Sequence, residues 1–232
     1  MRKNTNWLAL LLVFAAAIAF AKDVPETWDG LVEVKAKRMD AVFLMPGADF
    51  RPYTKVMIDK TQAAFQKDWL KNMNRMPIDL SRQVTDEQAA RILEAARTNF
   101  DDIIAESLKD AGYEVVSAPG PDVMRISAAV VNLYVNAPDV QAPGVRRTYT
   151  MEAGEATLIL EVRDSMTGAL MGRAVDRRDT RTASGFQMTN SVTNLADFRA
   201  LFKQWGKTVA KGLQELKEQS PVPQDLKPKQ KL

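Results

Sequence analysis

Apolar residues recur at helical steps over the middle of the chain. Ala89, Ile92, Leu93, Ala96, Phe100, Ile103, Ile104, Leu108 and Ala111 fall three or four residues apart, with Glu94, Arg97, Asp101 and Lys109 between them. That spacing predicts one long amphipathic helix with a single buried stripe. Its start is marked by Thr85-Asp86-Glu87-Gln88, a capping box in which the Thr hydroxyl accepts the N3 amide and the Gln side chain reaches back. Gly112 ends it. At 1.5 Å per residue such a helix extends roughly 39 Å, enough to cross about six strands. A second stripe, Leu195, Phe198, Leu201, Phe202, Trp205, Val209, Leu213 and Leu216, predicts a closing helix capped by Asn194.

Elsewhere the pattern shortens to strand periods. Val42 to Leu44 reads as a short edge strand before the Pro46-Gly47 turn, and Lys55 to Asp59 as a brief buried strand. Residues 60 to 80 have no clear period, fitting a bulged strand extension or an irregular layer. Tyr113 to Val116 and Asp122 to Val135 predict two strands separated by the turn Ala118 to Pro121. In Glu155 to Arg163 the residues Leu158, Leu160 and Val162 alternate with Thr157, Ile159, Glu161 and Arg163. Through Asp164 to Gly168 this run pairs with Ala169 to Arg178 as a hairpin. Thr180 to Thr193 is polar, a loop or ragged edge strand. Residues 220–232, after Pro221 and Pro223, read as a flexible basic tail.

This order predicts an α+β fold over residues 22–219 as a single α/β domain. It is a two-layer sandwich of one mixed, mostly antiparallel sheet with the two long amphipathic helices on one face. The link from Val56 through the long helix to Tyr113 would be a right-handed crossover between parallel strands.

The first residues change the setting. Arg2 and Lys3 precede an apolar run from Trp7 to Phe20, and Ala19-Phe20-Ala21 precedes Lys22. This is the pattern of a signal peptide over residues 1–21, cleaved after Ala21, with an apolar run of about fourteen residues against the roughly 20 that span a bilayer. The expected product is an exported chain, not lipidated, with no transmembrane segment after cleavage. Removing Arg2 and Lys3 leaves 30 basic residues against 29 acidic ones, so the alkaline pI of about 9.0 gives little support to nucleic-acid binding. The chain has no cysteine and no histidine. That removes disulfides, lipidation through a cysteine, Ser-His-Asp and Cys-His catalysis, and the usual zinc and haem sites.

Several stretches together resemble a known family: Asp29-Gly30-Leu31, "FLMPGADFRPYTKVMID" from Phe43, "LKDAGYEVVSAPGPDVMRI" from Leu108, "DSMTGALMGRAVDRR" from Asp164, and the helix around Trp205. Their order is similar to that of the domain of unknown function 3313 family, of exported or lipoprotein-like bacterial envelope proteins. The resemblance implies a Gram-negative periplasmic setting and an α/β domain, and it carries no catalytic residues to this chain. The lipidated cysteine of the lipoprotein members is missing here.

The candidate chemistry is carried by arginines. In the hairpin, Arg173 and Arg177 share one strand face while Asp176 and Arg178 take the other, so its arginines do not all converge on one ligand. Arg163 and Arg173 are expected cross-strand neighbours of Glu161 or Asp164, in a solvated, ion-paired hairpin. An anion- or partner-binding strip of Arg163, Arg173 and Arg177 is the sharper alternative. Arg146, Arg147 and Tyr149, in a loop with Pro138, Pro143 and Gly144, read first as solvated loop charge; the sharper alternative is a recognition element that grips a phosphate or an acidic partner. Asp102 and Glu106, one turn apart, fit a solvated helix face better than a calcium or acid/base pair. The dispersed methionines read as core filling rather than copper ligands, and Trp69 and Trp205 as core anchors. No metal site and no cofactor are expected.

The favoured function is a non-enzymatic periplasmic binding or accessory module whose partner is an envelope protein or peptidoglycan. It would be met at an exposed edge near Val42 to Leu44 or beyond Thr180. The alternative is a periplasmic carrier of a lipid or small molecule between helices and sheet, in a cavity lined by residues such as Phe100, Ile104, Phe198 and Phe202. A hydrolase using a carboxylate pair or Ser-Lys is a weaker third.

Overall fold

The computed structural model describes residues 27–75, 83–135, 148–150, 154–179, 187–189 and 191–232. The expected signal segment of residues 1–21, Arg146, Arg147 and residues 180–186 lie outside the described residues. Among the described residues the strands are β1 (Thr27–Trp28), β2 (Leu31–Val34), β3 (Ala41–Leu44), β4 (Lys55–Ile58), β5 (Gln62–Phe65), β6 (Glu114–Val116), β7 (Val123–Val135), β8 (Thr148–Thr150), β9 (Gly154–Asp164), β10 (Leu170–Asp179) and β11 (Gln187–Thr189). The helices among the described residues are α1 (Trp69–Met73), α2 (Asp86–Asp110) and α3 (Ser191–Glu218).

Nine strands form one open sheet in the order β1-β2-β3-β10-β9-β7-β4-β6, with β5 also paired to β7. The pairs from β1 across to β7 are antiparallel, and β4 lies parallel to both β7 and β6. The parallel β4 and β6 are joined through α2, as the crossover reading requires. β8 and β11 form a separate antiparallel ribbon. The unperiodic residues 60 to 80 hold β5, which continues along β7 beyond β4, and then α1.

Local signals place the long helix as its sequence demands. Thr85 Oγ1 accepts from Gln88 N, and Gln88 Oε1 accepts from Thr85 N at 2.9 Å, completing the capping box. Gly112, with φ of +89°, supplies the left-handed turn after the helix. α3 begins at Ser191, so Asn194 lies inside its first turn instead of capping it. The apolar stripes of the two long helices share one core cluster with Ile126, Ala128 and Val130 of β7 and Leu158, Leu160 and Val162 of β9. The helices touch closely: a Cβ at Gly206 would stand 2.3 Å from Ser107 Oγ.

Two expectations fail for non-local reasons. Val42 to Leu44 is no edge: β3 is flanked by β2 and by β10, whose residues lie far along the chain and leave no mark on the local pattern. Residues 220–232 are not a free tail. Val222 and Leu226 are buried in the main core, Val222 exchanges backbone hydrogen bonds with Gly47 and Ala48, and Gln230 bridges to Val34 beside β2.

Candidate functional site

Residues opposed across a ladder point to the same side of a sheet. The register aligns Glu33, Phe43, Arg173, Glu161 and Ser127 across β2, β3, β10, β9 and β7. Their side chains therefore form one row on the side opposite the main core, beside small apolar clusters around Phe43 and around Ile159. At its centre Arg173 Nε and Nη2 donate to Glu161 Oε1 at 2.9 and 2.6 Å, and Nη2 also donates to Asp29 Oδ2 at 2.9 Å. Trp28 stacks on the guanidinium, 3.8 Å from Cζ to the ring centroid. The Arg173 and Glu161 side chains are only 1% and 4% exposed. Two atoms of the row, Arg173 Nη1 and Glu33 Oε2, have no hydrogen-bond partner among the described residues. The other Glu33 oxygen is paired with Lys229 of the docked tail.

The row continues toward the hairpin turn. Arg163 donates to the second Glu161 oxygen and to Gly168 O. Arg125, directly across from Arg163, donates through Nε to both oxygens of Asp59, whose Oδ2 also accepts from Ser127 Oγ at 2.6 Å. Two arginines thus stand side by side, Arg125 on Asp59 and Arg163 on Glu161, the carboxylate it shares with Arg173.

On the core side Asp176 is buried under α3, where Oδ2 accepts from Trp205 Nε1 at 2.7 Å and Arg178 Nε at 2.6 Å. Oδ1 accepts from Asp40 N. The carboxylate therefore ties β10, α3 and the β2–β3 loop together. At the turn, Asp164 Oδ1 accepts from Met166 N, Thr167 N and Thr167 Oγ1, while Oδ2 accepts from Tyr53 OH at 2.9 Å. The Thr167 hydrogen bonds, foremost the hydroxyl's, hold the Asp164 carboxyl below its ordinary pKa. Burial, reinforced by Asp164, pushes the Tyr53 phenol up to about 12.

A family model described as "Protein of unknown function (DUF3313)" matches residues 19–209. The chain belongs to that family. No curated protein matches it. Among solved structures, it is similar to the PelC dodecamer from Paraburkholderia phytofirmans, at 15% identity over 75% of this chain and 96% of that one, TM-score 0.40. A DUF330 protein from Xanthomonas campestris matches at 12% identity, 75% and 89% coverage, TM-score 0.41. A putative neuraminyllactose-binding hemagglutinin homolog from Helicobacter pylori matches at 10% identity, 75% and 92% coverage, TM-score 0.37.

In this DUF3313 member the predicted arginines separate. Arg163 and Arg173 share Glu161, whereas Arg177 sits near the far end of the hairpin on Glu155, at 2.7 Å and 62% exposed. Tyr149 lies in β8 opposite Met188, and Arg146 and Arg147 fall outside the described residues. Asp102 and Glu106 are exposed. Among the described residues no cluster of three or more acidic side chains is arranged for a metal, and no helix is long and apolar enough to cross a membrane. Phe100, Ile104, Phe198 and Phe202 are buried, with Phe100 and Phe202 edge to face at 5.4 Å. Sequence reasoning missed Asp29, Asp59 and Asp176. The single signal for the first is its neighbour Gly30, and both take positive φ in the β1–β2 turn.

Proposed function

We propose that this DUF3313 chain is a non-enzymatic binding or accessory module of the bacterial periplasm, delivered by a signal cleaved after Ala21. Its helices and sheet would form a two-layer body that serves as a rigid support, and its partner would be an envelope protein or peptidoglycan. The observation that supports this reading is where the strong polar groups go. Arg163 and Arg173 are both held by Glu161, Asp59 by Arg125, and Asp176 by Arg178 and Trp205, which favours holding a shape over running a reaction. The contact surface assigned to Val42 to Leu44 moves to β6, a three-residue strand at the end of the sheet order, with Glu114 exposed and Val115 and Val116 partly so. Short charged edges of this kind still accept an added strand.

A photo-crosslinking residue at Glu114, compared in living cells with one at the exposed Asp102 of α2, tests this. The expected result is one envelope adduct at 114 and none at 102, on a chain whose mass begins at Lys22. Equal labelling at both positions, or a chain that keeps residues 1–21, would contradict the proposal.

A further inference from the structure

Folded cores rarely leave voids larger than a water molecule. Where α3 passes over β3 and β10, three small residues meet: Gly172 and Ala174 on the strand and Gly212 on the helix. A Cβ added at Gly212 touches nothing within 4 Å. The result is a cavity of about 80 Å³, walled mainly by Leu44, Leu160, Val162, Val209 and Leu213. Apolar cavities stay dry, and one of roughly 150 Å³ accepts benzene. This one has room for a few methylene groups.

Beside this apolar lining stands an ion pair. Met39 and Leu216 reach the cavity from the β2–β3 loop and from α3, and the residue before each forms a bidentate ion pair, Arg38 to Glu215, at 2.8 Å in both hydrogen bonds. Lys37 and Lys211 lie near enough to help Arg38 hold the Glu215 carboxyl below its ordinary pKa. Lys211 precedes Glu215 by one helical turn on α3, and Lys37 adjoins Arg38 in the loop. The loop's acid, Asp40, is engaged with the Arg177 backbone N–H at 2.8 Å.

We propose that this cavity takes the chain end of a single-chain anionic amphiphile, with the head group held by Lys37, Arg38 and Lys211. The site is distinct from the β6 edge and from the packed Phe100–Phe202 region. It needs no rearrangement of the core, because the space exists. The ion pair at its mouth opens to admit the head, with Arg38 exchanging Glu215 for the ligand's carboxylate or sulfate.

The test is a titration of the purified protein with butanoate, hexanoate, octanoate and octanol, read by methyl chemical shifts of Val209 and Leu213 and by calorimetry. Affinity is expected to rise about fourfold for each methylene buried until the cavity is full. Octanol should bind about threefold more weakly than octanoate, since exposed charge pairs contribute modestly. Gly212→Leu fills the space and should weaken octanoate about sixteenfold, the loss of roughly two buried methylenes, while leaving the far-UV spectrum unchanged. Ala174→Val, smaller and on the sheet, should act in the same direction. Chain-length independence, octanol binding as tightly as octanoate, or wild-type affinity in both variants would overturn the proposal. So would sedimentation with phosphatidylglycerol vesicles without any octanoate binding, since the site would then read bilayer lipid.

Discussion

Arg173 and Arg177 stand four residues apart on the same face of β10, in the same hairpin, each with a carboxylate partner on β9. One is buried between Glu161, Asp29 and the Trp28 ring. The other is 62% exposed beside Glu155. Identical chemistry in identical secondary structure therefore does two jobs. The difference comes from the flanking strands: Arg173 lies opposite Phe43 in the ladder with β3, while that ladder ends at Val175. Position in the sheet, and not residue type, decides whether an arginine here fixes structure or meets water.

The comparison breaks most visibly if the buried partner is removed. Glu161→Ala leaves Arg173 desolvated with only the half-exposed Asp29 and strands Arg163 as well; it is expected to cost about 3–5 kcal/mol in urea unfolding. Replacing the pair together, Arg173→Met with Glu161→Leu, should recover most of that loss, because an apolar pair of similar volume avoids the desolvation cost.

The turn end of the hairpin sharpens the contrast with a titratable group. Tyr53→Phe deletes the hydrogen bond to Asp164 and should cost about 1 kcal/mol at neutral pH. The phenol has an ordinary pKa near 10 when unfolded and about 12 when folded. The folded state therefore holds the proton more tightly. Its contribution is whole below pH 10 and is lost as pH rises through 12, so the wild type should lose stability over that window more steeply than Tyr53→Phe. Melting curves from pH 9 to 12 would show it. At the other extreme Arg177→Ala should change stability by less than about 0.5 kcal/mol, since its ion pair with Glu155 is largely solvated.

What was legible in the sequence was local. The capping box at Thr85 and Gln88, the stop at Gly112 and the Asp164 to Gly168 turn each use neighbours within a few residues, and each stands where the pattern put it. The hairpin pattern left Glu161 or Asp164 as the neighbour of Arg173, and the register selects Glu161. Its burial did not, because Trp28, Asp29 and Phe43 arrive from the other end of the chain. The same blindness made β3 look like an edge and made the prolines after Glu218 look like the end of structure, although Val222 and Leu226 carry enough apolar surface to dock. The α3 cavity was invisible for a related reason: Gly172, Ala174 and Gly212 are small in any context, and only their apposition leaves space.

Arg173 bridges β10 to Glu161 of β9 and to Asp29 of the β1–β2 turn. A double-mutant cycle on Arg173 and Glu161, measured by urea unfolding beside the same cycle on Arg177 and Glu155, tests this bridge most directly. The account predicts a coupling of about 3 kcal/mol for the buried pair and below about 0.5 kcal/mol for the exposed one. Additive effects at Arg173 and Glu161 would contradict it.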